Sequence, residues 1–175
     1  MGLKQTWWEH HKGREDLAGE HTAGDAGQGI LALLFAAVWV LDTFFLKYTT
    51  FLNGSVPLGV RVPLGVASLV VSGYLVWAGL AVVFGERRET PVVIRKGVFN
   101  IVRHPIYLSE ILLYLGCLML SLSLAAAAVL LLAIAFLHYI SRNEERLLLA
   151  RFGEEYERYM RDVPMWIPRL RKKPQ

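Results

Sequence analysis

The chain has 175 residues, of which 54% are apolar or aromatic and only 19% charged, with a formal net charge of +4. An ordinary soluble domain carries about 25% charge, and here the charges are also segregated. No Asp, Glu, Lys or Arg lies between Arg61 and Glu86, or between Glu110 and Arg142. Uncharged runs of that length meet the ~20 residues that a bilayer span requires. A soluble enzyme, a disordered tail and a secreted disulfide scaffold are excluded, and an all-α, polytopic membrane helix bundle is expected.

Residues 1–26 form a polar segment containing Glu9, Glu15, Asp16, Glu20 and Asp25, with no apolar core before Ile30. This is not the pattern of a signal peptide. His10, His11 and His21 have no helical i,i+4 spacing, so no metal site is assigned. The first span covers roughly Gly27 to Leu46. Asp42 is its one acid, readable either as a packing residue or as a pocket acid. Asn53-Gly54 and Pro57 mark turns in the connector, and a second span runs roughly from Pro63 to Phe84.

After the polar loop GERRETPVVIRKGVFNIVRH comes an apolar stretch from Pro105 to Ser141, interrupted only by Glu110. As one straight helix it would extend ~55 Å at 1.5 Å per residue, against a hydrocarbon core of ~30 Å. A tight helical hairpin fits better, turning near Leu120-Ser121-Leu122-Ser123, although neither Gly nor Pro marks the turn. Four spans result. The one cysteine, Cys117, lies inside the hairpin, so no intrachain disulfide forms.

Beyond Ser141 the spacing predicts an amphipathic helix with Leu148, Phe152, Tyr156, Tyr159 and Val163 on one face. Glu154–Arg158 and Glu157–Arg161 are favourably oriented i,i+4 pairs. The helix should stop at or before Val163, because Pro164 disfavours helical geometry in the preceding residue. Trp166 and the basic end RLRKK read as an interfacial anchor. The membrane domain therefore covers 27–168, and 169–175 is a basic tail.

Lys and Arg set the expected topology. Five fall in the 85–105 loop, nine after Ser141 and three in the N-terminal segment, against two in the 47–61 connector and none at the hairpin turn. This asymmetry predicts that both termini and the 85–105 loop are cytoplasmic, in a prokaryotic cell membrane or an endomembrane. Basic residues flanking spans contact anionic lipid headgroups. Without a recognition module beside them, nucleic acid is not an expected partner. Oligomeric state is not legible.

Two clusters could carry chemistry. The first is RHPIYLSE, Arg103 to Glu110, where the third span enters lipid. Interfacial anchoring explains part of it: Arg snorkels, Tyr sits at headgroup level and Pro105 starts the helix. Glu110 is harder to explain that way, because an acid one turn inside an apolar helix usually faces a polar cavity or partner. The second cluster is Arg142-Asn143-Glu144-Glu145-Arg146, readable alone as a solvated helical segment. The hairpin changes that reading, because arms of similar length bring Arg103–Tyr107 and Arg142–Arg146 side by side. A polar pocket would form there, covered by the amphipathic tail. His138 reads either as a helix-packing residue or as a base.

With GVFNIVRHPIY (97–107), the hairpin, Asn143-Glu144-Glu145, FGEEY (152–156) and Val163-Pro164 in this order, the chain resembles a membrane enzyme family. The family is the integral-membrane isoprenylcysteine carboxyl methyltransferases, to which phospholipid N-methyltransferases are related. The resemblance covers about residues 60–168. It implies S-adenosylmethionine held at the cytosolic face between the loop before the third span and the tail helix. The implied cofactor-binding residues are Val92, Val93, Ile94, Phe99, Arg103, His104, Pro105, Ile106, Tyr107 and Glu144. For the chemistry itself the residues, not the resemblance, give the candidates: Glu110, Glu145 and His138 as bases where the acceptor is an amine or thiol, and Arg142 to orient an anionic acceptor. Ser109 stands where the family usually has Gly, GYLVWAGLAVVFG lacks the family's usual Arg, and the loop before the motif is short.

The expected function is S-adenosylmethionine-dependent methyl transfer to a lipidic or small amphiphilic acceptor. The alternative is a non-catalytic membrane protein that binds anionic lipid or a partner through its basic tail. A proton pathway would have only Asp42, Glu110 and His138 within the membrane, too few for a relay.

Overall fold

A computed structural model describes residues 22–85 and 92–168. His10, His11, His21, Arg87, Arg88 and the 169–175 tail lie outside the described residues. All regular structure among the described residues is helical: α1 (Thr22–Val40), α2 (Leu58–Phe84), α3 (Pro105–Ser121), α4 (Leu124–Phe152) and α5 (Glu154–Asp162). A π-helical stretch, Leu41–Leu46, continues α1, and single 3-10 turns lie at Phe51–Gly54 and Gly97–Asn100. Ala26–Leu46, α2 and α4 are each long and apolar enough to cross a membrane, and α3 is a shorter apolar helix. The chain is a polytopic helical membrane protein.

The hairpin forms where the length argument places it. α3 ends at Ser121 because Leu122 adopts the left-handed conformation, φ 42°, where Gly is usually found. Ser123 then caps α4, its hydroxyl accepting from the Ala126 amide at 3.1 Å. Asp42 proves to be a packing acid at this turn. Its carboxylate accepts from the Ser123 hydroxyl at 2.6 Å, the Thr49 hydroxyl at 2.5 Å and the Thr49 amide at 3.1 Å. It ties the end of the first span to the hairpin tip.

The second span starts earlier than expected, at Leu58, with Pro57 as the extended N-cap residue and Pro63 accommodated inside the helix. Small residues let α2 approach α3 closely. A Cβ on Gly116 would meet Leu69 Cγ at 2.7 Å, and one on Gly79 would meet Ile106 Cγ1 at 3.0 Å. Midway, the Ser72 hydroxyl donates to the Ser109 carbonyl at 2.6 Å, and the Ser109 hydroxyl turns back to Ile106 O at 2.6 Å. Ser109 is thus accommodated by satisfying its hydroxyl within its own helix. On the other side of the hairpin, α1 packs on α4, and Phe35 stacks on Tyr114 of α3 with ring centroids 4.3 Å apart.

One expectation needs correction. The amphipathic pattern after Ser141 is not a single helix. α4 runs on to Phe152, and Gly153, at φ +54°, breaks the chain before α5. The apolar face survives the break: Leu148 and Phe152 pack with Tyr156, Tyr159, Val163, Met160 and Val93 in one cluster. The stop at Val163 is as expected, with that residue extended, φ −117° and ψ 126°, before Pro164.

Candidate active site

Helix lengths place the site. From the hairpin tip, the 17 residues of α3 rise about 26 Å, so His104 and Pro105 lie level with Ser141 on α4. The 29 residues of α4 rise about 44 Å and continue past that level, carrying Arg142–Glu145 alongside the start of α3. Pro105 begins α3, where its missing N–H costs nothing.

Six of the named residues converge there. Arg103 Nε donates to Glu145 Oε1 at 2.7 Å, and Arg103 Nη2 lies 2.7 Å from the same oxygen. His104 faces both acids, Nε2 3.3 Å from Glu145 Oε1 and Nδ1 3.5 Å from Glu144 Oε2. The Tyr107 hydroxyl donates to Glu144 Oε1. The His104 and Tyr107 rings are parallel within 5°, centroids 5.5 Å apart. Arg142 Nη1 stands 3.8 Å from Glu145 Oε2 with its side chain 56% exposed. Glu145 Oε2 is buried and accepts no hydrogen bond.

The remaining named residues sit around this centre or away from it. Val92 is exposed, and Val93 and Ile94 are half-buried in extended chain. Val93 packs under α5. Phe99 offers its carbonyl to the Tyr159 hydroxyl at 2.7 Å. Burial pushes the Tyr159 phenol up, so it stays a donor into alkali. Pro105 is buried and Ile106 half-buried against Gly79 of α2. Glu110 lies one turn further along α3 and accepts from Tyr114 at 2.5 Å. It is not joined to the Glu144–Glu145 centre.

Two features were not anticipated. First, Arg103 is committed to structure: besides Glu145, its Nη1 donates to Met160 O at 2.9 Å and Val163 O at 2.5 Å. Second, the chain after α5 is a strap over the site, not simply an anchor. The Arg103 amide donates to Pro164 O at 2.9 Å and the His104 amide to Met165 O at 3.2 Å. Trp166 follows, its indole N–H buried without a hydrogen-bond partner and its ring edge-on to His138, centroids 5.6 Å apart. Pro164 signalled the end of α5, but no periodicity signals a backbone ladder between such distant segments.

The arrangement offers carboxylate oxygens and parallel aromatic faces for a cation, and an exposed guanidinium for an anion. Among the described residues no His, Cys, Asp and Glu group is suited to a metal ion. The sequence model of a family described as phospholipid methyltransferase matches residues 58–155, from the start of α2 into α5. The cobalt-zinc-cadmium resistance protein CzcN of Cupriavidus metallidurans is 36% identical over 104 residues, 59% of this chain and 46% of that protein. Methanethiol S-methyltransferase 2 of Bradyrhizobium diazoefficiens is 35% identical over 91 residues, 49% of this chain and 30% of that protein. The match spans less than half the length of either curated relative.

Proposed function

Because the chain belongs to the phospholipid methyltransferase family, we propose that it transfers a methyl group from S-adenosylmethionine to a lipidic or small amphiphilic acceptor at the cytosolic face of a membrane. The observation that carries this reading is the convergence of His104, Tyr107, Glu144 and Glu145 beside Arg142. The donor presents an ammonium and a sulfonium, which require acceptors or aromatic faces, and a carboxylate, which requires donors. The residues fit. Glu145 Oε2 is a buried acceptor lacking a hydrogen bond, the parallel rings of His104 and Tyr107 supply faces, and Arg142 is an exposed donor. When bound, the donor supplies an electrophilic methyl group for in-line displacement.

The chain's own contribution is alignment and exclusion of water. Glu144 is held by the Tyr107 hydroxyl, and Glu145 by Arg103. The strap and α5 cover the centre. An anionic acceptor would be oriented by Arg142 and needs no base. An amine or thiol needs one, and Glu110, Glu145 and His138 are the groups in reach of the bilayer boundary. Arg95, Arg103 and Arg142 lie at the same end of the bundle as the site, which favours the cytoplasmic side.

The test is incubation of the purified protein with radiolabelled donor, once with native lipid extract and once with a small thiol under headspace capture. Donor binding is measured in parallel by calorimetry. A single labelled product in one arm identifies the acceptor class. Folded protein that binds no donor overturns the reading in favour of a non-catalytic lipid- or partner-binding protein.

A further inference from the structure

At the end of the bundle away from the site, Arg61 is buried, only 6% exposed, in the first turn of α2. Its Nη1 donates to the Asn53 side-chain carbonyl and to Leu120 O, the latter at 3.2 Å. Both acceptors are neutral. Its Nε is buried with no hydrogen-bond partner, and among the described residues only Nη1 of this guanidinium makes a hydrogen bond. The acid at this end, Asp42, is already occupied by Thr49 and Ser123. Among the described residues no carboxylate pairs with Arg61.

A buried guanidinium held only by neutral oxygens is costly, more so beside lipid. The unpaired edge, Nε–H with Nη2–H, is the kind of fork that binds two oxygens of a carboxylate or phosphate at once, and because Nε is buried a ligand reaches it by displacing the side chains that cover it. Its depth selects between them. α2 has 27 residues and rises about 40 Å, about 10 Å more than the hydrocarbon core. Arg61 is the fourth residue of that helix, about 5 Å in from its end, so with α2 centred on the bilayer it lies at the boundary between hydrocarbon and the headgroup layer that holds the lipid phosphates.

We propose that Arg61 is the phosphate-binding residue of a phospholipid site on the face of the membrane opposite the active site. The shared chemistry is a phosphate oxyanion received by the unpaired guanidinium edge, with Asn53 and the Leu120 carbonyl holding Nη1 in place. Occupancy would neutralise Arg61 and fasten the 51–57 connector and the hairpin tip to one leaflet. This site does not depend on methyl transfer and uses none of its residues.

The experiment is native mass spectrometry of the full chain with phosphatidylglycerol, and with a galactosyl diacylglycerol of the same acyl chains. Thermal stability is read for each lipid, and for inorganic phosphate against chloride at matched ionic strength. Wild-type protein should retain one phospholipid and be stabilised by it, and not by the galactolipid. Arg61→Gln should lower phospholipid retention at least tenfold, and Arg61→Lys less, because the ammonium keeps the charge but loses the fork. Stabilisation by inorganic phosphate alone supports the site with a soluble anion as its source. Should Arg61→Gln fail to fold, Arg61→Lys decides, and unchanged phospholipid retention in that variant overturns the proposal. Equal stabilisation by the two lipids, or equal phospholipid retention in Arg61→Gln, overturns the proposal.

Discussion

Arg103 and Glu145 form a buried ion pair, in which two guanidinium nitrogens approach one carboxylate oxygen at 2.7 Å and the side chains are 8% and 2% exposed. The same guanidinium holds the carbonyls of Met160 and Val163. One side chain therefore joins the start of α3, the extension of α4 and the end of α5. Removing one partner of a buried pair leaves an uncompensated charge, at a cost of about 3–5 kcal/mol. Arg103→Ala should destabilise the protein on that scale in a detergent denaturation series and expose residues 154–168 to protease. Arg103→Lys should fall between, since it keeps the charge but not the three-way bridge. An Arg103→Ala protein with wild-type stability and a protected tail would refute this positioning role.

The Glu144 carboxylate is expected to contact the methyl donor, and Tyr107 supplies its hydrogen bond. Glu144→Ala should weaken donor binding by about 1–3 kcal/mol, the usual loss for a charge-assisted hydrogen bond. Tyr107→Phe keeps the ring beside His104 and loses only the hydroxyl, so it should cost less than His104→Ala, which removes a ring facing both acids. Titration calorimetry on the three variants provides the ranking. Unchanged affinity in both Glu144→Ala and His104→Ala would remove the donor from this site.

The convergence of Arg103–Tyr107 with Arg142–Glu145 was legible because helix rise is constant, so residues equally far from the hairpin tip lie level, although the arms themselves differ, 17 residues in α3 against 29 in α4. The turn was placed within Leu120–Ser123, but no Gly or Pro marked which residue makes it, because the left-handed position falls on Leu122, a conformation that leucine disfavours. Asp42 remained ambiguous until Ser123 and Thr49 were seen to saturate it. The α2 seam, by contrast, was visible and unread. Gly65, Ser72 and Gly79 recur every seven residues and are all buried, the period expected of small residues along a helix-packing stripe. The continuous helix expected after Ser141 fails at Gly153, because periodicity reports which face is apolar and not whether the backbone is unbroken.

That seam yields a prediction on stability. A Cβ on Gly116 would lie 2.7 Å from Leu69 Cγ and 3.1 Å from the Gly65 carbonyl, while one on Gly73 meets nothing within 4 Å. Gly116→Ala should therefore force α2 and α3 apart and cost about 1–3 kcal/mol, the scale of overpacking. Gly73→Ala should be neutral or slightly stabilising. The paired comparison is read from thermal midpoints in one detergent. Equal midpoints would show that the two helices are not in close contact.

Tyr159 should respond to alkali. Burial raises its folded pKa above the ordinary 10.0, so its contribution to stability is fully present below pH 10 and is lost as pH rises beyond. Tyr159→Phe also loses the bond to the Phe99 carbonyl, at about 1 kcal/mol. The wild-type advantage over Tyr159→Phe, measured as a difference in midpoint, should be constant near neutrality and shrink above pH 10. An advantage that grows in alkali would reverse the sign of this argument.

Glu110 separates the classes of acceptor. It lies one turn along α3 from Tyr107, away from the Glu144–Glu145 centre, and its carboxylate accepts from the Tyr114 hydroxyl at 2.5 Å. Tyr114 in turn stacks on Phe35, so the acid is anchored to packed core. Glu110→Gln preserves the shape and the hydrogen bond while removing the charge, and Tyr114→Phe removes the bond while keeping the charge. If the acceptor is an amine or thiol that needs a base or counter-charge, Glu110→Gln should lower turnover by roughly 10²–10⁴, the scale of general acid–base assistance. Tyr114→Phe should have a far smaller effect. If the acceptor is a carboxylate, removing a nearby negative charge should leave turnover unchanged or raise it. Donor affinity should stay within about threefold in both variants, since ~0.65 kcal/mol is less than one charged hydrogen bond. Simultaneous loss of donor binding and turnover in Glu110→Gln would place this acid in the donor half of the site instead.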